Sequence, residues 1–314
     1  MQDDHQDAQI RETYGYLFIA AAAVLWAAAG PVSRQLYNLG ISPMETAFWR
    51  TAGAAVLFVI RLLVSRRNTG PPVTRRHTPM LIGFGALGVG GFMVSLAYAI
   101  DTGGINLAVI LLYTSPAFVA VGAWLAFGEP INPERWILIA LTIAGVVLVA
   151  VGGGRGINVT AVSLSWGFAA TVTYSGYYLV GKWAIHRYRP PWILAVMFPV
   201  AAVSILPFVR FAAYTAPVVI WLLILSVMST YLPYLLYYHG LTRVAVSRAV
   251  VVATIEPVVA ALLAAIIFDE MYAPLALLGA SFVIFAAARA SMPVRGSVRI
   301  PKPSLRLIRK KIRA

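Results

Sequence analysis

Residues 255–274 read IEPVVAALLAAIIFDEMYAP, and residues 114–133 read TSPAFVAVGAWLAFGEPINP. A proline, an apolar run, a phenylalanine, an acid and a second proline recur in the same order. The offset is 141 at every step: Pro116 and Pro257, Phe127 and Phe268, Glu129 and Glu270, Pro133 and Pro274. A period this long marks half of a duplicated protein rather than a solenoid unit. The copies part at two places, where Ser115 replaces the acid at Glu256 and Gly128 stands for Asp269.

Composition identifies the solvent. Of 314 residues, 60% are hydrophobic and 11% charged, with a mean hydropathy of +0.81. No single water-soluble core hides that much apolar surface, so the chain belongs in lipid. The absence of cysteine leaves redox compartment unread. The net charge of +14 does not point to nucleic acid, because nine of the 25 Lys and Arg lie from Arg289 onward and nearly all the others sit between apolar runs.

Ten runs approach bilayer length, at about 20 residues each. They cover 14–37, 43–64, 79–100, 105–127, 133–152, 160–185, 191–212, 216–239, 245–268 and 274–291, and are numbered here as spans 1 to 10. The expected division is an N-terminus 1–13, a first five-helix repeat 14–152, a linker 153–159, a second repeat 160–291 and a basic tail 292–314. Residues 1–12 carry Asp3, Asp4, Asp7 and Glu12, the wrong sign for a signal peptide, so span 1 is expected to be retained.

Twenty-one of the basic residues fall on the side of the two termini. Three fall on the other (Arg34, Arg155, Arg210), and Arg50 lies within span 2. The positive-inside rule then makes both termini cytoplasmic and the linker periplasmic. Five spans per repeat is an odd number, so the second copy enters the membrane upside down. The fold expected is all-α and integral to the membrane: ten transmembrane helices as two inverted five-helix repeats around a central cavity, an arrangement characteristic of secondary transporters.

The residues match a known family. Trp26 with Gly30-Pro31, Phe48-Trp49-Arg50, Tyr238 to Leu241, and Ala249 through Glu256-Pro257 to Glu270 and Pro274 carry the match over about residues 14–291. The chain resembles the ten-helix EamA-type permeases of the drug/metabolite transporter superfamily, and among them the bacterial exporters of aromatic amino acids. The resemblance implies export of amino acids, aromatic ones included, across the bacterial inner membrane by alternating access. Since Ser115 replaces Glu256 in the first copy, any role of that acid carries over to one half.

The groups themselves keep two readings open. Glu256 is a carboxylate at bilayer depth, hence a substrate-ammonium ligand, a proton-coupling group, or an acceptor for backbone freed at Pro257. Arg50, the other buried charge, either binds a substrate carboxylate or bonds carbonyls that fix span 2, the second being preferred. Lys182 reads as a snorkelling charge and His239 as a satisfied interfacial residue. Tyr14, Tyr16, Trp136, Trp192, Tyr214 and Trp221 read as interface anchors. Trp26, Tyr98, Tyr113, Trp166, Tyr174, Tyr177, Tyr231 and Tyr234 sit away from span ends and are expected, with Glu256, to line the substrate cavity. On that reading Trp166→Ala impairs export. Pro31, Pro116, Pro233 and Pro257 are candidate breaks and hinges. Small residues Ala140, Ala144, Gly279 and Ala286 suit close packing of spans 5 and 10. The basic tail is expected at the anionic leaflet.

No motif for ATP, a metal or an enzymatic cluster stands out, and Gly152-Gly153-Gly154 is a loop and not a P-loop. The expectation is a non-enzyme without cofactor, coupled or not to protons, acting as a monomer with membrane lipid and a small-molecule substrate as its partners and no nucleic acid. The alternatives are a drug or other metabolite permease of the same fold and an uncoupled facilitator or channel.

Overall fold

A computed structural model of the protein describes residues 2–64, 70–129, 133–152, 158–268 and 273–291. Glu270, Asp269, Arg66, Arg67, linker residues 153–157 with Arg155, and the tail from 292 lie outside the described residues. Among the described residues all regular structure is helical. Spans 2, 5, 6 and 10 are single helices: Pro43–Val64, Pro133–Gly152, Ala161–Ile185 and Pro274–Ser291. Span 7 is Pro190–Ile205 with a 3-10 turn Leu206–Phe208. Six segments are long and apolar enough to cross a membrane, and Pro274–Ala290 is a shorter apolar helix.

The remaining five spans are broken, four of them (1, 4, 8 and 9) at prolines. Span 1 is Gln2–Ala27 and Ala29–Asn38; span 4 is Ile105–Leu112 and Ser115–Phe127; span 9 is Val246–Ala253 and Glu256–Phe268. A proline ring collides with the carbonyl four residues earlier and offers it no N–H. The first pieces end at Ala27, Leu112 and Ala253, each four residues before Pro31, Pro116 and Pro257. In spans 4 and 9 a threonine bonds across the turn that follows: Thr114 Oγ1 donates to the Leu111 carbonyl at 2.6 Å, and Thr254 Oγ1 to that of Val251 at 2.5 Å. Span 8 breaks differently, as Ala216–Ser226, a π-turn Val227–Tyr231 and Leu232–Leu241. There Pro233 leaves the Ser229 carbonyl without its helical donor, and Arg50 of span 2 supplies one from Nη2 at 3.2 Å.

The breaks obey the duplication. Span 3 is Thr78–Phe84, a π-turn Gly85–Gly90 and Gly91–Gly103, so the π-turns of spans 3 and 8 start at 85 and 227 and end at 90 and 231. Packing obeys it too. Spans 2 and 7 pack together, as do spans 5 and 10. Exchanging the halves turns the contact of spans 3 and 6 into that of spans 8 and 1, and the contact of spans 4 and 6 into that of spans 9 and 1; all four are present. Span 1 runs on toward the N-terminus as helix from Gln2, beyond the polar extension expected there. Glu12 supports that turn, accepting from Tyr16 Oη at 2.8 Å and pairing with Arg248 at 2.8 Å. Tyr16 is thereby buried and is not an interface anchor.

Spans 5 and 10 form the outer pair, but not through all the residues expected. Ala140 and Ala144 are exposed. The close approach is at Gly145 and Gly279, where a Cβ on either glycine would come within 2.7 Å or 2.5 Å of the other's carbonyl oxygen. Gly152 lies against the Ala276 backbone in the same seam. Two faces of span 5 carry small residues, and composition alone does not separate them. We predict that Gly145→Leu destabilises by about 1–3 kcal/mol through overpacking, read as a lowered Tm in detergent, while Ala140→Leu leaves Tm unchanged. Equal effects of the two changes would misplace the seam.

Candidate functional site

A cavity of about 230 Å³ opens between spans 1, 2, 3, 4 and 9. One face of span 1 supplies Trp26, Gly30, Ser33 and Tyr37; span 2 supplies Thr46 and Arg50. Span 3 supplies Met93, Leu96, Ala97 and Ile100, span 4 Leu112 and Tyr113, and span 9 Glu256 and Pro257. The wall rises from the breaks of spans 4 and 9 to Tyr37 and Pro43, at the span ends on the side away from the termini (the far side). The broken helices therefore build it: unwound backbone at Tyr113–Thr114 and Thr254–Ile255 tolerates the bilayer interior because it borders a cavity.

The two charged residues of the lining are Arg50 and Glu256. Arg50 is aimed by span 8, with Nε donating to Thr230 Oγ1 at 3.3 Å and Nη2 to the Ser229 carbonyl. It thus bonds a carbonyl, as preferred from the sequence, and faces the cavity as well. Glu256 opens the second helix of span 9 and shares a hydrogen bond with the Tyr113 phenol of span 4. Each repeat supplies one member of that pair. In apolar surroundings a carboxylate and a guanidinium bordering one hollow form two poles with a greasy floor between them.

The expected lining divides. Trp26, Tyr113 and Glu256 line the cavity, and Pro257 with them. Tyr98 and Trp166 stack on each other, centroids 4.8 Å apart, outside it. Tyr231 packs on Phe58 at 5.0 Å. Tyr174, Tyr177 and Tyr234 are buried in an aromatic cluster under the floor, on the side of the chain termini. Trp26 joins floor to cluster, 5.3 Å from Tyr234. Pro31, Pro116 and Pro233 sit at helix breaks away from the lining. Ser33, Tyr37, Thr46, Met93 and Ala97 were not singled out from the sequence; Trp26, Gly30, Ser33 and Tyr37 recur at helical spacing, the signal that would have found Ser33 and Tyr37.

Other charges turn out to be structural. Lys182 does not snorkel: its Nζ donates to the carbonyls of Leu241 and Val244 at 2.9 Å and 2.5 Å, closing the end of span 8. His239 Nδ1 pairs with the Leu235 carbonyl at 2.7 Å. Glu129, the repeated acid, caps span 9 by accepting from the backbone N–H of Val246 and Ser247 and from Ser247 Oγ. Glu45, 1% exposed at the start of span 2, accepts from the Ala212 N–H and from Tyr214 Oη at 2.5 Å. Tyr214 is therefore a latch on the loop before span 8 rather than a plain interface anchor. Desolvation and its bond to Glu45 raise the phenol's pKa above the ordinary value, so it remains the donor.

The bond from Arg50 to Ser229 makes a prediction. Arg50→Met leaves a buried carbonyl without a donor, a loss of about 1–3 kcal/mol seen as a lowered Tm in detergent. Pro233→Ala restores the N–H, so Arg50→Met with Pro233→Ala regains most of that loss. Strict additivity of the two changes would rule the account out.

Comparison with known proteins follows the same division of the chain. The EamA-like transporter family matches residues 13–151 and again residues 161–292. An uncharacterized transporter of Synechocystis sp. is 25% identical over 305 residues, covering 87% of this chain and 92% of that protein. A riboflavin transporter of Rhizobium johnstonii is 29% identical over 52% of this chain and 55% of its own length. A probable 4-amino-4-deoxy-L-arabinose-phosphoundecaprenol flippase subunit of Salmonella paratyphi B is 28% identical over 30% of this chain and 88% of its own. One solved structure superposes with a TM-score of 0.75 over 88% of this chain and 96% of its own, at 16% identity, which shows a shared fold.

Proposed function

This chain belongs to the EamA-like transporter family, and from that premise we propose that it is a secondary exporter of small amphipathic metabolites. Amino acids, aromatic ones included, suit it best, carried across a bacterial plasma membrane by alternating access with both termini cytoplasmic. The observation that supports this most is the pairing of Arg50 and Glu256 across one small apolar cavity. A zwitterion carries its two charges at one end and its apolar body at the other. Its carboxylate suits the guanidinium fork, its ammonium suits Glu256, and its side chain suits Trp26 and Met93. At about 230 Å³ the hollow exceeds the ~150 Å³ that admits benzene and falls below the ~300–1,000 Å³ usual for drug-sized ligands.

Glu256 also supports a coupling step. A carboxylate in apolar surroundings holds a proton or an external cation, and the two compete. Arg50 from span 2 and Tyr113 from span 4 border the same hollow. Exchange of one proton for one substrate ammonium would give proton antiport. The structural alternative is that Glu256 only stabilises the first turn of its own helix.

The test is counterflow in proteoliposomes with a panel of labelled amino acids, riboflavin as comparator. Wild type is expected to exchange amino acids, and Glu256→Gln to fold with an unchanged Tm while exchange falls by at least about tenfold, the weight of one charged contact. Near-normal exchange in Glu256→Gln would leave the acid a purely structural role. Exchange of riboflavin but of no amino acid would overturn the substrate class.

A further inference from the structure

The duplication assigns cavity residues of spans 1 and 3 counterparts in spans 6 and 8, and four of those counterparts lie together. In spans 3 and 8 the offset of 141 pairs Met93, Leu96 and Ala97 with Tyr234, Tyr237 and Tyr238. In spans 1 and 6, where Trp26 matches Trp166 at 140, it pairs Ser33 and Tyr37 with Thr173 and Tyr177. The first members line the open cavity. Of the second, the four tyrosines are the buried cluster beneath it, with Tyr177 5.4 Å from Tyr234, 6.0 Å from Tyr237 and 6.0 Å from Tyr238. Inverted repeats alternate by exchanging conformations, so what is open in one half of the molecule is closed in the other.

We propose that this tyrosine cluster is a second substrate site, closed here, which becomes the vestibule when the protein opens toward the side of its termini. The proposal rests on the alternating-access reading above. Three hydroxyls support it independently. Tyr237 Oη is buried without a hydrogen-bond partner among the described residues, and Tyr177 and Tyr238, though neighbours, make no bond of proper geometry. A phenol left unbonded in an apolar bundle is disfavoured, and in a hydrated vestibule each would find water or solute. The first-repeat partners of Tyr237 and Tyr238, Leu96 and Ala97, have no polar atom on the side chain to strand. The two mouths therefore differ in chemistry. The far-side mouth is apolar with two charges; the other presents aromatic rings with hydroxyl groups. A solute with a flat ring and a hydrogen-bonding or cationic group fits the latter by stacking and by bonds to the phenols.

The chain has no cysteine, so an introduced thiol is read without background. Protein inserted in one orientation in liposomes would be assayed with L-tryptophan loaded from either side. Tyr237→Phe and Tyr238→Phe keep the ring and remove a hydroxyl that is unpaired in this conformation, so Tm is expected to hold or rise. The half-saturating concentration on the side of the termini should rise about 2- to 10-fold, the worth of one net hydrogen bond. That on the far side should stay within error. A purely packing role would move both sides alike or neither, and either result overturns the proposal. Thiol labelling of Tyr238→Cys by a water-soluble methanethiosulfonate separates the failure modes. If wild type exchanges no probe, the transport reading fails, yet reaction of Tyr238→Cys from the terminal side still upholds the vestibule. If wild type exchanges L-tryptophan and Tyr238→Cys stays inert from that side, the vestibule alone fails.

Discussion

A carbonyl that loses its N–H donor inside lipid must find another donor or face water, and much of this molecule follows from that requirement. Four prolines create the deficit in spans 1, 4, 8 and 9. Threonine hydroxyls bond the carbonyls of Leu111 and Val251 beside two of these breaks, and the carbonyl that Pro233 deprives, that of Ser229, is met by Arg50. The cavity lies where the turns of spans 4 and 9 come together. A single constraint on backbone hydrogen bonding thus fixes where helices break and where a polar hollow is tolerated. It also explains why a guanidinium is held at bilayer depth.

The duplication distributes these devices evenly but decorates them unevenly. Spans 4 and 9 break at the same register, and spans 3 and 8 each carry a π-turn. Glu256 has only Ser115 as its counterpart, and the tyrosines of span 8 have Met93, Leu96 and Ala97. Backbone symmetry provides two interchangeable shapes; side-chain asymmetry makes the two mouths chemically different. A transporter that moves its solute one way has use for such a difference, since loading and release sites then differ in affinity.

The parts legible in the sequence were those set by backbone chemistry and by parity. Repeat, span number, proline breaks and the two charged residues of the cavity all appear in residue order alone. Which of two small-residue faces span 5 uses was not legible, because Ala144 and Gly145 are neighbours and only three-dimensional approach selects the glycine. The aromatic set was placed in the right interior but in one compartment, whereas the structure divides it between the cavity floor and a closed cluster. Helical periodicity says that Tyr177 and Tyr234 point inward; it is silent on which half of the bundle is open. Lys182 was misread for a related reason: its place near the span end suggested snorkelling, but the carbonyls it meets are at the end of span 8 and just beyond it, far away in sequence.

The central claim is that the halves exchange conformations, opening one mouth as the other closes. Paired spin labels on introduced cysteines test it most directly, with one pair at Leu39 and Val159 on the far side and another at Tyr14 and Val64 on the terminal side, all exposed positions. The account predicts two distances for each pair in nanodiscs, with populations that shift in opposite directions when L-tryptophan or pH is changed. A single unchanging distance at both mouths, in a protein that still exchanges solute, would contradict it.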